Sequence, residues 1–144
     1  MDKTRFSIII PVLHEAERIN ALIDHIHRLA SDNGHEIIVV DGSPEKDTIG
    51  AIRSKVVIKL GTGKGRARQM NAGATQAKGE IVIFLHADTE LPARAFARIH
   101  PIMEGNRYAA GAFSLGIRSE KNTLRSLARL ASLRCRVTRI PYGD

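Results

Sequence analysis

Short apolar runs that end abruptly in polar turn chemistry, each followed by a helical pattern, constrain this chain more than any other feature. FSIIIPV (6–12) is interrupted by Pro11, EIIVVD (36–41) runs into Gly-Ser-Pro, and IVIFL (81–85) stops at His-Ala-Asp. Such runs, bounded by turn residues, read as buried strands. After the first run comes HEAERINALIDHIHRLA, where Ile19, Leu22, Ile23, Ile26 and Leu29 fall at helical spacing. That spacing predicts a helix with one face on a sheet. KVVIKL (55–60) reads as another strand after a short helical or irregular piece at 47–54. A helix over 66–77, terminated by Gly79, then leads to the strand at 81–85. Pro92 suits the first turn of a helix over PARAFARIH, which Pro101 ends or kinks. YAAGAFSLGI (108–117) reads as a strand with glycine bends, and 120–137 as a basic helix.

Strands alternating with helices predict an α/β fold, a mainly parallel sheet flanked by helices on both faces. Ligands of such sheets bind beyond the carboxyl ends of the strands. Three acidic residues fall there: Glu15 after the first strand, Asp41 at the end of the second and Asp88 after the fourth. Taken singly, Asp41 and Asp88 are ordinary turn or cap residues. Taken together, at the ends of strands that should be neighbours, they gain weight as ligand contacts. A carboxylate facing a diphosphate makes sense with a divalent cation between them, Mg²⁺ or Mn²⁺.

The 144 residues, 43% of them apolar, suffice for one domain with a single core. No apolar run is long enough to cross a bilayer, and the N-terminal patch is too soon interrupted by Pro11 for a signal peptide, so a cytoplasmic location is expected. The single Cys135 offers neither an internal disulfide nor a metal framework. The net charge of +7 is unevenly placed. Residues 1–91 carry 12 Lys+Arg and 12 Asp+Glu, whereas 92–144 carry 10 and 3. A basic last third can face a polyanion, an anionic membrane or a phosphorylated small molecule. With 4% aromatic residues and no nucleic-acid motif, nucleic acid is not an expected partner.

Gly61, Gly63 and Gly65 match neither standard phosphate loop. The P-loop pattern needs Gly at Ile58 and Ser or Thr at Gly65, and the dinucleotide fingerprint needs Gly at Arg66. The segment reads as a flexible loop, with Arg66 and Arg68 either available to a diphosphate or solvating a helix start. His14, His25, His27, His35 and His100 show no metal-ligand spacing and are expected at the surface or in packing. In the basic segment, Leu124, Leu127 and Ala131 form an apolar stripe beside Lys121, Arg125, Arg129 and Arg136. That stripe is expected either to pack in a core or to lie on an anionic membrane. Left uncovered, it predicts self-association.

SIIIPVLHEAERI, EIIVVDGSPEKDT, GRARQMNAGATQAKGEIVIFLHADTELP and the closing RIPYGD, in that order, resemble family 2 glycosyltransferases of the GT-A fold, most of all the bacterial arsenosugar-biosynthesis-type subgroup. The resemblance runs from about Ser7 to Asp144. It implies one catalytic domain over 1–144, a nucleotide-diphosphate-sugar donor, a divalent metal (Mn²⁺ or Mg²⁺) and transfer to an acceptor hydroxyl with inversion. By the same resemblance Pro11 and Glu15 line the base pocket, with His14 where Asn is usual, and Asp41 touches base or ribose. Arg66 or Arg68 approaches the donor. HAD matches the family's Asp-x-Asp motif with its first carboxylate replaced, which makes Asp88 the metal ligand and sets His86 near the ribose or metal. Asp144, in YGD, matches the catalytic base. Family members continue past that motif, so this chain is expected to lack its C-terminal acceptor-side part. The competing expectation is a nucleotide-sugar-binding piece without turnover. A lipid-linked acceptor would suit contact with the inner face of a membrane through 120–137.

Overall fold

A computed structural model describes residues 5–30, 34–104, 108–114 and 116. The chain divides into two units, Met1–Pro101 and Ile102–Asp144. The sheet lies in the first.

Four strands, β1 (Phe6–Val12), β2 (His35–Asp41), β3 (Ile58–Gly61) and β4 (Ile81–Phe84), pair in parallel in the order β3-β2-β1-β4. Between them run α1 (Ile19–Leu29), α2 (Asp47–Ala51) and α3 (Arg66–Gln76), with α4 (Ala95–Glu104) after β4. The pleat sends alternate β1 residues to opposite faces. Phe6, Ile8, Ile10 and Val12 join Ile19, Leu22, Ile23 and Ile26 of α1 and Phe96 of α4 in the larger core. The Phe6 and Phe96 rings meet edge to face at 5.1 Å. On the other side Ile9, Ile38 and Val40 form a thinner core with Ala72 of α3. Helices therefore cover both faces, as the alternation of elements predicts.

Several local expectations need correction. Pro11 does not end the first strand; it lies inside β1, opposite Val40. The reason is the unequal length of the neighbours. Leu85 N–H donates to Ile9 O, so Ile9 turns its backbone polar groups to the β4 side, whereas Val12 O accepts from Gly42 on the β2 side. By alternation Pro11 also faces the β4 side, where pairing has stopped at Ile9–Phe84. Its missing N–H therefore removes no ladder bond. β3 begins only at Ile58, after bends at 55–57. Pro101 sits within α4, which continues to Glu104. Residues 108–114 are irregular rather than a strand. Gly79 serves close approach rather than helix termination, since a Cβ there would lie 2.6 Å from Ser7 N. The segment 120–137 and Asp144 lie outside the described residues.

The chain adds β2 and β3 on one side of β1 and then returns to place β4 on the other. That reversal makes a crevice beyond the carboxyl ends of β1 and β4, the usual ligand position in an open parallel sheet.

Candidate functional site at the carboxyl edge of the sheet

Three loops converge on this edge: the exit of β1 (13–15), the β2–α2 segment (42–46) and the turn after β4 (86–89). The β2–α2 segment is organised around Asp41, whose side chain is wholly buried. Its Oδ1 accepts from Ser43 N at 2.8 Å and Ser43 Oγ at 2.7 Å. Its Oδ2 accepts from Thr48 N at 3.0 Å and Ile49 N at 3.2 Å. With both oxygens engaged within the chain, Asp41 shapes the loop and caps the start of α2.

The exit of β1 is tied to that segment. His14 has φ 57°, in the left-handed region that His, like Asn, enters more readily than most residues. Its Nδ1 lies 3.1 Å from Asp47 Oδ2. This hydrogen bond raises the pKa of His14 above its usual value against a smaller opposing effect of burial, with further help from the charges of Asp47, Glu45 and Asp41. It also lowers the carboxyl pKa of Asp47. Glu15 N–H donates to Thr48 Oγ1 at 2.9 Å, and the Glu15 carbonyl accepts from Arg18 and Ile19 at the start of α1. Pro11 and Glu15, both partly buried, thus stand beside the crevice.

After β4 the chain makes a turn closed by Thr89 N–H on His86 O, 3.1 Å. His86 and Asp88 are both exposed on it. Asp88 Oδ1 accepts from Thr89 Oγ1 at 3.2 Å. No three His, Cys, Asp or Glu side chains among the described residues gather as a ready cation cage. Asp88 therefore belongs to no three-ligand group, and a cation held there would keep much of its own water, as Mg²⁺ does.

Arg66 and Arg68 are exposed in the first turn of α3, behind Gly65, whose φ of 141° favours glycine. The Arg68 guanidinium lies so close over Gly63 that a Cβ there would meet Nη1 at 2.6 Å. Two further residues, which the sequence does not single out, hold the edge together. Gln69 is buried and its Nε2 donates to Val12 O at 2.7 Å and Val40 O at 2.8 Å, linking the ends of β1 and β2 to α3. Lys46, itself left-handed at φ 56°, donates from Nζ to the carbonyls of Asp41, Ser43 and Thr62, which ties the β2–α2 segment to the glycine loop. Neither has a sequence signal, because each acts on carbonyls that only folding brings near.

This geometry defines a doubly wound α/β domain with a polar crevice at its switch point. Comparison with known proteins narrows it. The model of glycosyl transferase family 2 matches residues 7–142, and the chain belongs to that family. It is 29% identical over 102 residues to an uncharacterized glycosyltransferase of Haemophilus influenzae, across 69% of this chain and 35% of the relative. It is 32% identical over 102 residues to the PGL/p-HBAD biosynthesis glycosyltransferase of Mycobacterium tuberculosis, across 65% of this chain and 40% of the relative. Among solved structures, mannosyl-3-phosphoglycerate synthase from Rubrobacter xylanophilus shares the fold with a TM-score of 0.58 at 22% identity, covering 69% of this chain and 37% of that one. The chain thus spans little more than a third of the length of these relatives.

Proposed function

We propose that this domain binds a nucleotide-diphosphate sugar at the carboxyl edge of its sheet and transfers the sugar, with inversion, to an acceptor hydroxyl. The observation that carries this reading is the convergence of the β1, β2 and β4 exits at the switch point, with the Asp88 carboxylate exposed on the last of them. In this reading Pro11 and Glu15 line the base pocket, and Asp41, which also shapes the β2–α2 segment, meets the base or ribose. Arg66 or Arg68 meets the diphosphate, and His86 lies near the ribose or the metal. Asp88 would hold Mn²⁺ or Mg²⁺, which supplies neutralisation of the charge that develops on the departing diphosphate. The acceptor oxygen attacks the anomeric carbon as the bond to the diphosphate breaks, and the bonding pair leaves with the diphosphate. Asp144, outside the described residues, is the proposed base for the acceptor proton.

Membership of the arsenosugar-type subgroup rests on the ordered motifs alone, since the curated relatives carry other names. A lipid-linked acceptor, with the basic segment 120–137 against an anionic membrane, is the proposed arrangement for the acceptor side. No helix among the described residues is long and apolar enough to cross a membrane.

Titration calorimetry with UDP and GDP, in Mn²⁺ and in Mg²⁺, tests the site. Wild type should bind one of the nucleotides with metal, and Asp88→Ala should weaken that binding about tenfold or more, the loss expected for one charge-assisted contact. Absence of nucleotide binding with either metal would overturn the reading. Because the chain covers 35–40% of its curated relatives, binding and turnover are measured separately. Binding without donor hydrolysis or transfer would identify a nucleotide-sugar-binding piece.

A further inference from the structure

His14 stands at the exit of β1, on the carboxyl edge of the sheet. Its backbone is left-handed, its side chain is 57% exposed, and Nδ1 is engaged by Asp47 Oδ2 at 3.1 Å. Nε2 makes no hydrogen bond among the described residues. With Nδ1–H directed to the carboxylate, the neutral ring carries a lone pair on Nε2 and the protonated ring carries an N–H there. A single proton thus converts the outward nitrogen from acceptor to donor while the ring stays fixed.

The surroundings favour the charged form. The ring is hydrogen-bonded to Asp47 at the start of α2, and the charges of Asp47, Glu45 and Asp41 add to the hold on its proton. The one cation of the β2–α2 segment, Lys46, is committed to three carbonyl oxygens. From its own segment the neighbouring acidic residues are Glu15 and Glu17. The hydrogen bond to Asp47 thus favours the protonated ring, whose Nε2–H has no partner among the described residues.

We propose that His14 confers pH dependence on donor binding, its protonated Nε2–H donating to an anionic or carbonyl oxygen of the nucleotide. The inference rests on the reading of the crevice as a nucleotide-sugar site and assigns a residue to that site's recognition. Affinity should fall as pH rises and the nitrogen reverts to an acceptor.

The test uses the full chain with Mn²⁺ and a uridine- or guanosine-diphosphate sugar, whose diphosphate has no phosphomonoester to titrate near pH 6. Binding is measured by calorimetry between about pH 5.5 and 8, the range in which His changes charge. Wild type should weaken by roughly three- to tenfold across that range, the modest size expected of an exposed charge-assisted contact. His14→Asn, which also tolerates the left-handed backbone, should bind with a shallower profile than wild type. Asp47→Asn should move the wild-type midpoint to lower pH. His86 is present in every variant and contributes equally to each profile. An unchanged slope in His14→Asn, or a wild-type slope of opposite sign, overturns the role of His14 alone. No binding by wild type at any pH overturns the reading of the crevice and this inference with it.

Discussion

At the scale of single residues, the chemistry at this edge divides between groups that face outward and groups that hold the loops. Asp88 is exposed and makes one hydrogen bond to its neighbour, so its loss should matter to ligand binding and little to folding. Asp41 is the opposite case. Replacing it with Ala removes the acceptor for Ser43 N and Ile49 N and one of the two for Thr48 N, which keeps Asp47 Oδ1, all around a wholly buried side chain. Each donor left unsatisfied costs about 1–3 kcal/mol, and water entering the vacated space recovers part of it. Asp41→Ala should therefore lose about 2–4 kcal/mol in urea unfolding. A loss within about 0.5 kcal/mol, the range for an uninvolved surface position, would show that the carboxylate does not hold the loop. The Asp-Gly-Ser stretch marks a turn in the sequence alone; that both oxygens turn inward could not be read there, because Thr48 and Ile49 reach Asp41 only once α2 has formed.

At the scale of elements, α3 shows how close packing outweighs intrinsic helix preference. Gly73 faces the thin core, and a Cβ there would lie 2.4 Å from Ile9 Cγ2 and 3.2 Å from Val40 Cγ2. Alanine would gain about 1 kcal/mol of helix propensity but lose about 1–3 kcal/mol to overpacking. Gly50 in α2 has nothing within 4 Å of the same added atom. Gly73→Ala should lower stability, whereas Gly50→Ala should raise it by about 0.4–1 kcal/mol through the unfolded chain. Chemical denaturation of the two variants checks the contrast, and shifts of the same sign would refute it. The helical spacing of α1 is plain in the sequence, since Ile19, Leu22, Ile23 and Ile26 are the residues that become buried. That of α3 is weaker, because its buried residues are Gln69 and Gly73. One is polar and the other has no side chain, so neither reads as a packing face.

At the scale of the whole molecule, stability should depend on pH through two histidine pairings of opposite sign. His27 Nδ1 lies 2.9 Å from His35 Nε2, and His27 Nε2 is buried with no partner among the described residues. Burial first, and the nearby His35 second, lower the His27 pKa below its ordinary 6.5. The unfolded chain thus takes up a proton that the folded one resists, and stability is lost as pH falls from about 6.5 toward the folded value. His14 has the reverse linkage. Its raised pKa contributes stability below about 6.5 that disappears as pH rises through the folded value, and its exposure keeps the effect small. Urea unfolding at about pH 5.5 and 7.5 should show a loss on the acid side that His27→Gln reduces. An equal loss in that variant would assign the acid sensitivity elsewhere. The sequence spacing of these histidines shows no relation between them; the return of the chain from α1 into β2 creates it.

The apolar runs, their turn residues and the ordered motifs were sufficient by themselves to specify a parallel α/β sheet and the family, because strand periodicity and turn chemistry are local properties. They also set Asp88 and His86 at the end of a strand. Tertiary structure decided what those local features could not contain. It set β4 beside β1, so that the exits of both meet at a switch point and Pro11 sits harmlessly on an unpaired edge. It also turned Asp41 inward, and it linked the edge through Gln69 and Lys46. The physical reason is that strand neighbours, and acceptors such as Val12 and Val40 for the buried Gln69 amide, lie outside a residue's local sequence, and only the folded backbone brings them within hydrogen-bond reach.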